Sequence, residues 1–193
     1  MSNLIHYTNP MSRGVRTQRI LEIFEIPHEE RIIDFQNGEN KTPEYLKVHP
    51  YGRVPALVHG DTTIVESGAI TLYLADLFAD KLNTPKIGTP ERARLYEWVL
   101  FTQSTLEQVA MQAYTAEDKS ECRAKVRELL EAMAGRFQGP YVLGDAFSVL
   151  DVILHTELSW YQMMGLFPEG LEPYQGFMER TQERLGWEKP VSS

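Results

Sequence analysis

Cysteine is nearly missing from this chain. Cys122 is the single one in 193 residues. An internal disulfide is excluded, which fits a reducing compartment. No Cys-x-x-Cys motif exists, so dithiol redox chemistry is disfavoured. No apolar run is long enough to span a bilayer, and no membrane partner is expected. No Lys/Arg cluster occurs either: 19 basic residues face 27 acidic ones, for a net charge of -8. That balance argues against nucleic acid as a partner. His6, His28, His49, His59 and His155 lack metal-ligand spacing, so no metal is expected. Residues Met1 to Tyr7 lack the charged and apolar regions of a signal peptide, and a cytoplasmic location is the expectation. Hydrophobic residues make up 42% and charged residues 24%, enough for a real core in one large or two small domains.

What is present divides in two. Leu4 to Tyr7 reads as a strand. Ser12 is placed to cap a helix running to about Glu25, with Ile20, Ile23 and Phe24 on one face, and Pro27 stops it. Arg31 to Phe35 alternates like a second strand. Pro43 to Lys47 suits one short helical turn. Ala56 to His59 and Thr62 to Val65 are short strands joined by the hairpin signal Gly60-Asp61. Ser67 to Ala79 is an apolar helix. The order is βαβαββα over residues 1–80. Residues 81–89 hold Asn83, Pro85 and Gly88, with Pro90 next, and read as a linker. Residues 90–193 are helical throughout, with helices expected from Pro90 to about Tyr114, Glu117 to Phe137, Ser148 to Met164 and Pro173 to Leu185. Ser148-x-x-Asp151 is a capping box opening the third of these, with Phe147 and Val152 as a hydrophobic staple.

The densest signal is Tyr51-Gly52-Arg53-Val54-Pro55-Ala56-Leu57 followed by Val65-Glu66-Ser67-Gly68. Proline inside an apolar run belongs at a strand's first residue or in a bend. A cis Val54–Pro55 bond is one way to make that bend. Glu66-Ser67 ends a strand and opens a helix, where free N–H groups and a hydroxyl suit a carboxylate. Taken singly, Lys41 and Arg53 read as solvated charges, Glu66-Ser67 as a cap and Pro55 as a turn.

Their order and spacing within one small domain resemble the cytosolic glutathione S-transferases, and most of all the bacterial and phi-like members that use serine. The resemblance covers essentially the whole chain and implies an α/β thioredoxin-like N-terminal domain followed by an all-α C-terminal domain. It implies glutathione as co-substrate and a homodimer. Asn40 and Lys41 would meet the glycyl carboxylate of glutathione, and Arg53, also glutathione-binding, lies where such members often have Gln or Lys. Val54 would pair its backbone with the cysteinyl part, just before Pro55. Glu66 and Ser67 would hold the γ-glutamyl end.

The reactive form of a thiol is the thiolate, and a free thiol has a pKa near 8.5. Lowering it by about two units stabilises the anion by roughly 2.7 kcal/mol. In serine-type members the hydroxyl at the position of Ser12 donates to the sulfur, and the helix behind it adds a positive dipole end. Arg13 would add positive field. Without the resemblance, Ser12 reads as a backbone cap. Tyr7 is a rival donor, because tyrosine-type members use a Tyr at the end of the first strand; its plain reading is a ring packed between domains. Thr8 and Asn9 are a third option, because some relatives that reduce disulfides use Thr or Asn in this turn. A hydrophobic electrophile would meet Met11, Gln103, Tyr114 and Trp160, with Leu106 and Ala110 as further walls. Cys122 is expected to be a bystander. The implied activity is thiolate attack on an electrophilic carbon. Glutathione-dependent disulfide or peroxide reduction and a non-enzymatic binding or regulatory role on the same fold are the alternatives.

Overall fold

The computed structural model describes residues 3–10 and 12–185. They fall into two compact units, divided between Leu82 and Asn83.

The first unit is built on β1 (Leu4–Thr8), which is paired on both edges. Its parallel neighbour is β2 (His28–Ile32), in register Leu4 with His28. Its antiparallel neighbour is β3 (Ala56–His59), in register Tyr7 with Ala56. β3 turns through Gly60 into β4 (Thr62–Val65), giving the order β2-β1-β3-β4. Helices α1 (Gly14–Ile23), α2 (Pro43–Val48) and α3 (Ser67–Leu77) complete the unit.

Side-chain alternation along β1 sorts the helices onto two faces. His6 bonds Thr17 of α1, and on the same face His59 of β3 bonds Tyr73 of α3. Tyr7 points the other way and packs with Ile33, Ala56 and Tyr45 of α2. Its ring lies 5.6 Å from that of Tyr45. Tyr7 therefore belongs to the core of its own unit.

The second strand starts three residues earlier than its alternation suggests. It begins directly after Pro27, and residues 29–32 are exposed because β2 is an edge strand held by backbone pairing. Ile33, just past it, is buried and donates its N–H to the Thr8 carbonyl. The first helix is also shorter at both ends. Glu25 takes a left-handed φ of 48°, and Ile26 returns its N–H to the Leu21 carbonyl, closing the helix before Pro27.

The second unit holds α4 (Pro90–Leu100), α5 (Glu107–Thr115), α6 (Ser120–Ala134), α7 (Val149–Met163) and α8 (Glu172–Leu185). The helix expected from Pro90 to Tyr114 is interrupted by a π-helical stretch, Phe101–Leu106. There Thr102 donates to the Trp98 carbonyl at 2.8 Å, and the buried Tyr161 hydroxyl donates to the Leu106 carbonyl. Tyr161, 55 residues away, thus supplies a donor to a carbonyl at the end of the π-helical stretch. α6 starts at Ser120, whose N–H is taken by Asp118 at 2.8 Å, and it ends before Gly135 rather than at Gly139-Pro140. Phe137 forms the centre of an aromatic cluster with Trp98, Tyr174 and Phe177.

α7 is buried over nearly its whole length, and it starts as expected. Asp151 accepts from the Ser148 N–H at 2.7 Å, the Ser148 hydroxyl at 2.8 Å and the Val142 N–H at 2.9 Å. Burial raises the Asp151 carboxyl to about 6, and those three bonds oppose the rise. Phe147 is buried against the ring of Tyr141, with the Arg184 guanidinium 4.7 Å over its face.

Candidate functional site

Two loops of the first unit carry most of the residues singled out in the sequence. The first joins β1 to α1. Ser12 precedes the helix by two residues rather than serving as its formal cap, which is Arg13. Its hydroxyl donates to the Asn9 carbonyl at 2.6 Å and accepts the Gly14 N–H at 3.0 Å. The oxygen is therefore held at the start of α1 while part of the residue meets solvent. Gly14 has to be glycine for a steric reason. A Cβ there would stand 2.3 Å from Thr8 Oγ1 and 3.0 Å from Ser12 Oγ. Thr8 is only 1% exposed, and its hydroxyl has no hydrogen-bond partner among the described residues. Asn9 donates to the Ile33 carbonyl at 3.0 Å. Arg13 is exposed. Met11 lies outside the described residues.

The second loop runs from the end of α2 to β3. Nearly every carbonyl along it has a partner. That of His49 accepts the Gly52 N–H at 2.8 Å. That of Tyr51 accepts from Lys41 Nζ at 3.3 Å, and that of Gly52 from Asn40 Nδ2 at 2.8 Å. The Tyr45 hydroxyl donates to the Arg53 carbonyl at 2.6 Å. Gly52 has a φ of 61°, and a Cβ on it would meet the Asn40 carbonyl at 2.3 Å. The pattern stops at Val54. Among the described residues, neither its N–H nor its C=O makes a hydrogen bond. The Val54–Pro55 peptide bond is cis.

A third element enters at the start of α3. Glu66 is a non-glycine residue with φ 73° and ψ 119°, a strained conformation of the kind that gathers at functional sites. Its side chain is exposed. Ser67 is buried, its carbonyl accepts from Thr71 Oγ1 at 2.8 Å, and its own hydroxyl has no partner among the described residues.

Residues 2–76 match the family described as Glutathione S-transferase, N-terminal domain, and residues 81–184 match Glutathione S-transferase, C-terminal domain. The chain belongs to the glutathione S-transferase family. Among curated relatives of this transferase, glutathione S-transferase GstA of Escherichia coli O157:H7 is 30% identical over 155 residues, covering 77% of this chain and 75% of the relative. Glutathione S-transferase GST-4.5 of Xanthomonas campestris is 27% identical over 187 residues, covering 90% of each. Among solved structures, a glutathione transferase from Phanerochaete chrysosporium in complex with oxidized glutathione has a TM-score of 0.82 at 26% identity, covering 95% of this chain and 92% of that one. The thioredoxin-like and all-helical halves are those of this family.

Two helical residues that shape the transferase's loops escaped sequence reading. Tyr45 ties the chain just ahead of Val54, and its phenol is pushed up by burial, then by Tyr7 and Glu39 nearby. No spacing rule links it to Arg53. Gly14 was equally silent, because its requirement comes from Thr8 across the sheet face. The hydroxyl of Tyr7, the rival thiol donor, accepts from Arg31 Nη1 at 2.9 Å and keeps its own proton to donate, while its ring packs with Ile33, Tyr45 and Ala56. In the second unit, Gln103 lies in the π-helical stretch and is half-buried. Trp160 is half-buried near the end of α7, and Tyr114 is 76% exposed. Leu106 is fully buried and contributes to that unit's core rather than to a wall. No group of three His, Cys, Asp or Glu suited to a metal occurs among the described residues.

Proposed function

We propose that this transferase activates the glutathione thiol for attack on a hydrophobic electrophile, with Ser12 as the hydroxyl that stabilises the thiolate. The carrying observation is the unpaired peptide of Val54, next to loop carbonyls that the protein already satisfies. An extended peptide such as glutathione recovers those two bonds by antiparallel pairing. The unpartnered Ser67 hydroxyl and the free N–H groups at the start of α3 suit the γ-glutamyl carboxylate, and Glu66 suits its ammonium. Asn40, Lys41 and Arg53 supply donors for the glycyl carboxylate. The solved relative from Phanerochaete chrysosporium, with its bound oxidized glutathione, supports the same ligand class here.

In the reaction, the thiol loses its proton to solvent, a sulfur–carbon bond forms, and the electrophile's leaving group departs with its electron pair. Ser12 contributes by turning its proton from the Asn9 carbonyl to the sulfur while Gly14 N–H holds the oxygen. That N–H polarises the hydroxyl and makes it a better donor. The start of α1 adds partial positive charge. Arg13 adds field at the same end.

Reduction of disulfides or peroxides through Thr8 and Asn9 is the second reading, favoured by the partnerless Thr8 hydroxyl. Its burial argues against it, because a sulfur must reach that oxygen. We read the protein as a cytoplasmic homodimer on family resemblance. Calorimetric titration with glutathione, on wild type and Ser67→Ala, tests the site. Binding that the variant loses supports it; no binding to the folded wild type overturns both enzymatic readings and leaves a binding or regulatory role. Rates with a halo-aromatic electrophile, compared with a disulfide, then separate Ser12→Ala from Tyr7→Phe.

A further inference from the structure

We propose that His49 is a positioning residue for the glutathione-binding loop, closing residues 50–53 while its ring is neutral and releasing them when the ring takes a second proton. The inference rests on the glutathione reading of the Val54 peptide and adds an acid-sensitive control to it.

His49 is 3% exposed at the end of α2. Its backbone is fixed from both sides: the N–H donates to the Tyr45 carbonyl at 2.8 Å, and the C=O accepts from Gly52. The ring therefore has a set position. Its Nδ1 lies 3.3 Å from the backbone nitrogen of Tyr51, which can only donate. Nδ1 must then carry a lone pair, with the ring proton on Nε2. A doubly protonated ring would set one N–H against another, and the bond to Tyr51 would be lost.

The surroundings favour the neutral ring. Burial lowers the imidazole below its ordinary range; the Glu66 carboxylate at the start of α3 draws it back up, and the Arg53 guanidinium on the loop pushes it down. Beside these two charges, the ring of Tyr51 lies edge-on at 5.7 Å. Tyr51 is also the residue whose carbonyl Lys41 holds. Freeing its N–H loosens the strand of bonds that ends at the Arg53 carbonyl, one residue ahead of Val54. A proton on His49 is thus felt at the peptide that pairs with glutathione.

The test is calorimetric titration of the full chain with glutathione between pH 8 and pH 5, on wild type, His49→Asn and His49→Ala. The Asn side chain offers an oxygen acceptor to Tyr51 N–H and does not titrate in this range. The thiol's own titration is common to all three proteins, so the readout is the ratio of wild-type Kd to that of His49→Asn, which stays level at neutral pH and rises as the ring takes its second proton, by up to about tenfold per pH unit. His49→Ala binds about fivefold more weakly than His49→Asn at every pH, as expected for one lost hydrogen bond. Equal weakening in wild type and His49→Asn overturns the proposal, as does an Ala variant that binds like wild type.

A ligand-free measurement separates its failure from failure of the glutathione reading. The Tyr51 amide is followed by hydrogen exchange over the same pH range, alongside NMR titration of the His49 ring. Loss of extra Tyr51 protection in step with ring protonation supports the latch even if glutathione does not bind or His49→Asn does not fold. Protection that ignores the ring's titration overturns it.

Discussion

The hydroxyl of Tyr45 donates to the backbone carbonyl of Arg53 at 2.6 Å, tying α2 to the residue just ahead of the cis Val54–Pro55 bond. Tyr45→Phe keeps the ring contact with Tyr7 and removes only this bond. The expected cost is about 1 kcal/mol of stability, because the Arg53 carbonyl loses its partner. Glutathione affinity should fall about fivefold as the next peptide loses its fixed orientation. Denaturant unfolding and calorimetric titration read the two effects separately.

Gly14 offers a steric prediction. Gly14→Ala brings a methyl group within 2.3 Å of Thr8 Oγ1. Destabilisation of about 1–3 kcal/mol is expected, as for other overpacked sites. Adding Thr8→Ala removes the obstructing hydroxyl and should restore part of that loss. Thermal unfolding of the two single variants and the double variant measures the coupling.

His6 gives the chain an acid-sensitive step in stability. Burial, with His28 adding to it, lowers its pKa from 6.5 to about 3. The Thr17 hydroxyl donates to the Gly14 carbonyl, so it accepts from His6 Nε2–H, and His6 Nδ1 has no partner among the described residues. The unfolded chain binds a proton near pH 6.5 that the folded chain refuses until about pH 3. Stability is therefore lost progressively as pH falls between those values. Asp151 acts with the opposite sign, because its raised pKa adds relative stability as pH falls from about 6 toward 3.8. Comparing wild type with His6→Gln cancels the Asp151 contribution. The melting temperature of His6→Gln should fall less steeply between pH 6.5 and pH 4.

The α7 cap predicts a graded pair of variants. Ser148→Ala removes one of the three donors to Asp151 and should cost about 1 kcal/mol. Asp151→Ala leaves the N–H groups of Val142 and Ser148 without their acceptor in a buried setting. A loss of about 2–4 kcal/mol is expected there, since each stranded group carries its desolvation cost. Urea unfolding midpoints check the ranking.

Local chemistry made several elements legible without any structure. The hairpin at Gly60-Asp61, the Ser148–Asp151 cap, the proline entering β3 and the helix opened by Glu66-Ser67 follow from rules acting over four or five residues. Their order was enough to point to the family, and with it to Ser12, Val54 and Ser67. Tertiary structure decided what depends on groups distant in the chain. Arg31 donates to the Tyr7 hydroxyl from the neighbouring parallel strand, a partnership set by the β1–β2 register. Tyr161 takes the Leu106 carbonyl 55 residues away and accompanies a π-helical stretch where periodicity suggested one straight helix. Thr8 dictates glycine at position 14, and Tyr45 fixes Arg53, through contacts that no spacing encodes. Sequence patterns carry the repeat of a helix or a strand and the chemistry of a turn. They do not carry the steric and hydrogen-bond choices made only when separate elements meet.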